Sequence, residues 1–258
     1  MSTPEPFQTL VHQGMVLGPD GRKMSKRRGN VIDPLDIIQE YSSDTLRAYL
    51  LFMGPVEQDK VWDDNTLQGV WRFLSRVDAI WTADGVMMSD AFAALSPEEQ
   101  DAGLKQIEKT LHQTIKGVST DMEAMKYNTV ISKLMIMVNT IYEVGTVKKD
   151  QYLRLMQLLA PVAPTIAEQK RRGLGQDDSV FGSVRPEYAG HMLVEDEATI
   201  AIQINGKMRG TVVVDRDAGE DSVVEQAIAV DSVTKHLEGK DIQKVIFVPN
   251  KIVNLIVA

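Results

Sequence analysis

With 258 residues, of which 43% are hydrophobic and 25% charged, the chain has room for one large or two modest domains, each burying its own core. It has no Cys, which excludes disulfides, thiol catalysis and thiolate metal sites, and its formal net charge of −8 argues against a generally basic nucleic-acid binder, so that any nucleic acid must be met by local patches. No apolar run reaches the roughly 18 residues of a membrane span and the N-terminus lacks a signal peptide's apolar core, so a cytoplasmic protein without membrane contact is expected.

The first apolar stretch, Phe7-Gln8-Thr9-Leu10-Val11 and Gly14-Met15-Val16-Leu17, ends at the turn signal Gly18-Pro19-Asp20-Gly21 and predicts a strand and a turn. Behind it, Arg22-Lys23-Met24-Ser25-Lys26-Arg27-Arg28-Gly29-Asn30 places five cations within seven residues, with a Ser hydroxyl among them and a Gly directly after. Such a cluster suits a polyphosphate. Lys and Arg neutralise phosphate charge, Ser donates a hydrogen bond, and Gly lets the backbone fold around a ligand. On charge alone, a solvated surface or a localisation signal fits equally well. The residues that follow favour a fixed loop. Asp33-Pro34 reads as an N-cap with Pro at the first helical position, opening a helix to about Tyr41 with Leu35, Ile37 and Ile38 on its apolar side. A second helix from about Ser43 carries Leu46, Tyr49, Leu50 and Met53 at helical spacing and ends at Gly54-Pro55.

From Asp63 to about Asp178 the pattern is helical throughout. Trp62-Asp63-Asp64 caps a helix with Leu67, Val70, Trp71, Leu74, Val77, Ile80 and Trp81 along one face, and residues 82–95 form a connection. Ser96-Pro97-Glu98-Glu99 opens a helix to about Met125, another spans about Asn128 to Val144, and a last runs from about Lys149 to Gln169, kinked or broken at Leu158–Pro164. This is an antiparallel helix bundle, whose Met-rich stripes read as core filling and not as a cofactor box. Lys170 to Glu197 is polar with little periodicity and reads as a linker. The remaining residues change period: strands at Thr199–Ile204 and Met208–Val214 flank the hairpin signal Asn205-Gly206, a helical zone covers about Glu220 to Leu237, and strands follow at Lys244–Val248 and Ile252–Val257. The fold class expected is mainly α, an antiparallel bundle preceded by a small loop-bearing segment and followed by a small α+β domain of order β-β-α-β-β.

Lys23-Met24-Ser25-Lys26, followed by Gly29-Asn30-Val31 and Asp33-Pro34, resembles the KMSKS signature of class I aminoacyl-tRNA synthetases. Gln13–Leu17, Asp44–Arg47, Trp62, Val70–Val77, Gln203–Gly210, Lys244–Pro249 and Lys251 are similar to the leucyl-tRNA synthetase family in particular. The resemblance implies residues 1–54 as the KMSKS loop and edge of a catalytic domain, 55–178 as a tRNA-binding helical domain, 179–197 as linker and 198–258 as a C-terminal tRNA-binding domain. It further implies ATP-dependent ligation of leucine to tRNA(Leu), with ATP and its accompanying Mg²⁺ and no metal site on the protein. Lys26, Lys23 and Ser25 would be catalytic; Lys23, Met24, Ser25, Lys26 and Gly29 would bind ATP; Asn205, Lys207, Arg209 and Lys251 would meet tRNA through phosphates.

Three departures stand out. Arg27 replaces the motif's second Ser, with Arg28 after it; Ser42 stands where the family usually has Gly and should strain a left-handed helix cap; and Glu168–Arg172 replaces an apolar helix end. Those last cations read as a solvated helix end or an RNA-facing patch. Only about 22 residues precede the motif, too few for a βαβ unit, and His12, His112, His191 and His236 form no His-x-Gly-His (HIGH) pair. The expected partners are therefore tRNA(Leu) and an N-terminal half carrying the nucleotide-binding fold and the HIGH motif. Leucine and ATP would bind only in the assembled site, and the chain alone would be inactive. The alternative is a non-catalytic tRNA-binding module. Trp62, Trp71 and Trp81 could stack on bases, but their helical spacing favours core packing.

Overall fold

Caps written into the sequence decide where this chain turns. In the computed structural model, residues 7, 9–82, 85–193, 197–237 and 239–258 are described; parts of the expected connection (83 and 84) and linker (194–196) lie outside them. Two compact units result, one ending at Ala189 and the other running from Gly190 to Ala258.

The first unit opens with β1, Val16–Leu17, which pairs in parallel with β2, Lys60–Val61. Among the described residues, the strand expected from Phe7 onward is reduced to its last two, and two residues give no periodicity from which a parallel partner could be read. Between them, α1 (Pro34–Glu40) starts on the Asp33 carboxylate, which accepts the Leu35 N–H. Next, α2 (Ser43–Phe52) starts on the Ser42 hydroxyl. Asp63 takes the N–H groups of Asn65 and Thr66 and so begins α3, Asp64–Ala79. Trp81, expected on that helix, instead enters a two-residue hairpin strand, β3 (Trp81–Thr82), paired with β4 (Gly85–Val86). A short α4 (Asp90–Ala93) follows, so the expected connection is partly ordered structure.

Ser96 and Glu99 form a capping box at the head of α5, Pro97–Glu123. Gly145 at φ 93° closes α6 (Tyr127–Val144) in the left-handed conformation that Gly adopts without penalty. Then α7 (Lys149–Leu159) and α8 (Pro164–Gly173) are two helices separated at Ala160–Ala163, where Pro164 cannot donate an N–H.

One apolar core runs through the bundle, with Val70, Leu74, Ile107, Leu111, Ile131, Leu134, Ile141 and Leu155 buried in it. Each such side chain contributes about 1.5–3 kcal/mol relative to exposure. A smaller core, Leu46, Tyr49, Trp62 and Leu67, sits below the basic loop and packs Met24, Ile32, Ile37, Tyr41 and Met53. Helix α2 serves both, since Ala48 belongs to the bundle core, so no boundary falls at residue 54.

The expected linker is likewise corrected over its first part. Val180 is buried in the bundle core, Glu168 accepts the Val180 N–H, and Arg171 grips the Asp178 carboxylate with two bonds of 2.7 Å. At Ala189 the N–H donates to His112 Nδ1 at 3.1 Å, which leaves Nε2 to donate to Glu108.

In the second unit β5 (Glu197–Ile204) and β6 (Lys207–Asp215) form a hairpin, α9 (Glu220–Ile228) and α10 (Asp231–Leu237) follow, and β7 (Ile242–Val248) and β8 (Ile252–Val257) close a sheet of order β6-β5-β8-β7. β5 and β8 are parallel and the outer pairs antiparallel. Ile200, Ile202, Val214, Val253 and Leu255 face Val223, Ala227 and Val233 of the helices. The turn residues Asn205 (φ 48°) and Gly206 (φ 78°) both take positive φ, as a type I′ hairpin requires.

Candidate functional site

The basic segment is an ordered loop held at its base, its middle and its far end. At the base, Gly18 N–H donates to Arg22 O and Leu17 bridges Lys23, so the turn hands the loop back to β1. In the middle, Met24 packs on the Leu46–Trp62 core. A short 3₁₀ turn over Lys26–Arg28 then ends on Gly29 at φ 69°, whose N–H returns to Lys26 O.

At the far end Asn30 reaches back across the whole loop. Its Oδ1 accepts the Ser25 N–H at 2.8 Å, and its Nδ2 donates to Asp20 Oδ1 at 2.9 Å and to Lys23 O at 3.4 Å. The hydrogen bond from Asn30 holds the Asp20 carboxyl below the ordinary carboxylate range. Gly18 is needed beside this contact, since a Cβ there would stand 2.9 Å from both Asn30 Nδ2 and Asp20 Oδ1.

Lys23, Met24, Ser25, Arg27 and Arg28 line an open hollow of about 640 Å³. Lys26 is exposed on the same turn but does not line it, so in this conformation the cations facing the hollow are Lys23 and the two arginines that depart from the motif. Among the described residues none of Lys23, Lys26, Arg27 and Arg28 has a carboxylate partner, whereas Lys105, Lys133, Arg154, Lys170, Arg171 and Arg172 all do. In a chain of net charge −8 this is a concentrated, unneutralised positive patch on fixed backbone. Its chemistry is that of a polyanion site.

The cations after Glu168 are not a frayed end: they lie on the intact α8, and each has an acidic partner. Lys170 Nζ donates to Asp78 O at 2.6 Å and Trp81 O at 2.7 Å, closing the C-terminal end of α3, and pairs with the Asp78 carboxylate at 2.9 Å. Arg171 is buried on Asp178 and Arg172 pairs with Glu168 at 2.9 Å. Ser42 does carry strain, but at the head of α2 and not in a left-handed C-terminal cap: its φ is 156° and ψ 165°, a region that L residues avoid. Of the Trp residues, Trp62 is buried edge-on against Tyr49 and Trp81 stacks on Tyr152, while Trp71 is 43% exposed and meets the Tyr41 ring edge-on.

The C-terminal candidates do not gather in one place. Asn205 Nδ2 donates to Val257 O and its Oδ1 accepts the Val257 N–H, so its side chain is committed to tying the hairpin to β8. Lys207 is exposed next to it, and Arg209 has a buried Nε with no hydrogen-bond partner. Lys251 lies just before the other end of β8, where Ala201 N–H meets its carbonyl, about 20 Å along the strand from Val257 at 3.3 Å per residue.

Asn30 and Asp20 are the site residues that sequence reasoning missed. Both stood in plain sight, one quoted in the motif and one in the turn, but only the folded loop brings positions ten apart into contact.

Residues 1–63 match the family model of class I tRNA synthetases (I, L, M and V), and residues 105–224 match the anticodon-binding domain of tRNA ligase. Over those two stretches the chain is similar to class I tRNA synthetases and to the anticodon-binding domain of tRNA ligases. Within that class it is similar to the agnB2 LeuRS of Agrobacterium radiobacter K84, solved as a ternary complex with tRNA and LeuAMS, at 29% identity and a TM-score of 0.71. That match covers 100% of this chain and 34% of the other, so the chain spans about a third of the length of the protein it resembles.

Proposed function

We propose that this chain is the C-terminal part, or a split subunit, of a leucyl-tRNA synthetase acting in the cytoplasm. It supplies the ATP-phosphate-binding loop and RNA-docking domains to the ligation of leucine to tRNA(Leu). The observation that carries the reading is the clamped, unneutralised loop of residues 20–30 at the edge of a segment with class I synthetase sequence.

Adenylation of a carboxylate by ATP breaks a phosphoanhydride bond, and negative charge grows on the leaving pyrophosphate. Preorganised cations stabilise that charge without moving at the moment of reaction. Lys26 and Lys23 would meet the phosphates, Ser25 would donate a hydrogen bond to them, and Met24 would hold the loop to its core while Gly29 permits closure. Mg²⁺ would travel on the nucleotide's phosphates; the described residues contain no cluster of three His, Asp or Glu to hold it. Transfer to tRNA would use the anticodon-binding-type bundle and, in the second unit, Lys207, Arg209 and Lys251 as phosphate contacts.

A nucleotide-binding fold is needed to complete such a site, and the chain offers a surface for one. Leu10, Met15, Val16, Val31, Leu35, Ile38 and Val61 are exposed, and a two-stranded parallel sheet standing alone is incomplete. The test is association with the nucleotide-binding half of a leucyl-tRNA synthetase, followed by sedimentation. A one-to-one complex that Leu35→Glu and Val61→Glu dissociate supports the proposal; halves that never associate contradict it.

A further inference from the structure

We propose that Asn30, braced by Asp20, is the positioning residue of the basic loop, setting Ser25 and Lys23 in place as the fixed part of a polyphosphate receptor on which the Lys26–Gly29 turn can close. The inference rests on the reading of that loop as the phosphate site. It concerns two residues that do not line the hollow and so touch no ligand there.

The physical need comes from the charges. Lys23, Lys26, Arg27 and Arg28 lie within six positions and have no carboxylate partners among the described residues, so they repel one another and favour an open, spread loop. A ligand that had to gather them would lose affinity to that ordering. Asn30 removes the need. One planar amide accepts from Ser25 N–H and donates to Asp20 Oδ1 and Lys23 O, fixing three points of an eleven-residue loop at once.

The pairing has a required polarity. Asp20 Oδ1 also accepts the Arg22 N–H at 3.2 Å, so the group facing it must be a donor. An Asp at position 30 would set two carboxylates against each other at the 2.9 Å now spanned by Nδ2–H. Exchanging the two side chains restores the 20–30 pairing but not the donation to Lys23 O, because an amide at 20 can accept from Arg22 N–H with its oxygen and donate to a carboxylate at 30, which still accepts from Ser25. The loop's net charge is unchanged by the exchange, so any recovery reflects geometry and not attraction.

The test uses the full chain with inorganic tripolyphosphate as probe, reading two signals: amide exchange at Ser25 and calorimetric affinity. Asn30→Ala and Asn30→Asp should each speed Ser25 exchange and weaken tripolyphosphate binding by about tenfold, and the exchanged pair D20N/N30D should recover part of both, short of the original because the bond to Lys23 O is not remade. Gly18→Ala, pressing on the clasp from outside, should have the same effect as Asn30→Ala. The proposal is overturned if Asn30→Ala leaves Ser25 exchange and affinity unchanged, or if D20N/N30D is no better than N30D while its helical signal shows it folded. If the unaltered chain fails to bind tripolyphosphate, the phosphate-site reading fails and the positioning role with it; the Ser25 exchange rates then still show separately whether the clasp exists.

Discussion

Replacing Glu108 by Gln should destabilise the helical unit by about 3 kcal/mol at pH 7 and by only about 1 kcal/mol at pH 3. Glu108 accepts two bonds from Arg154 at 2.7 and 2.8 Å, one from Gln151 at 2.8 Å and one from His112 at 3.1 Å, and so ties α5, on which it sits, to α7. Burial pushes its carboxyl up, but the hydrogen bonds from Arg154 and Gln151 and the charge of Arg154 outweigh it and hold the value down to about 2, against an ordinary 4.5. A carboxyl depressed in the folded state stabilises the fold fully above its unfolded value. That contribution disappears as pH falls through 4.5 towards 2, and about 2 kcal/mol of it is gone by pH 3. Arg154 is only partly buried and keeps Asp150 at 2.9 Å in the variant, so the loss is no more than the lower end of the roughly 3–5 kcal/mol expected for orphaning a fully buried ion. Urea unfolding followed by Trp fluorescence isolates this unit, because all 3 Trp lie in it. Asp121, Glu168 and Asp178 are also held low, but they titrate alike in both proteins and cancel in the difference. A difference that stays constant from pH 7 to pH 3, or that falls below about 1 kcal/mol at pH 7, would refute the reasoning.

Three further substitutions separate strain, stapling and ligand binding. Ser42→Gly should raise stability by about 1 kcal/mol in the same urea assay, because relieving a strained φ of 156° outweighs the few tenths lost when Gly replaces a Ser cap; a loss of stability would mean the cap dominates. Lys170→Ala should cost about 2 kcal/mol by unbinding two carbonyls at the end of α3, while leaving tRNA affinity as it was; weakened tRNA binding in a folded variant would favour the RNA-facing reading. Gly14→Ala should uncouple β1 from β2, since its Cβ would fall 2.0 Å from Gln58 O. It should abolish tripolyphosphate binding while the bundle keeps its helical signal, and unaltered binding would show that the loop does not depend on β1.

Local chemistry made most of the fold readable. The caps at Asp33, Asp63 and Ser96, the break before Pro164 and the Asn205-Gly206 turn act within a few residues, and the structure uses each of them. What escaped were pairings set by tertiary contact. The β1–β2 ladder is two residues long and joins positions 44 apart, and Trp81 leaves its helix because stacking on Tyr152 outweighs helical periodicity. The segment after Arg171 looked like a linker because its composition is polar. Yet one Val in the core, and Glu168 and Arg171 bonding back to it, suffice to pack it. At the site, the residue types suited to phosphate were legible, but the amide that holds them was not, since its partners lie 5, 7 and 10 positions away.

Leucine-dependent exchange between ATP and pyrophosphate tests the central claim most directly, measured with this chain, with a nucleotide-binding half of a leucyl-tRNA synthetase, and with the two mixed. The account predicts activity in the mixture only, reduced about 100-fold or more by Lys26→Ala without loss of association between the halves. Exchange by the mixture that Lys26→Ala leaves untouched, or exchange by either part alone, would contradict it.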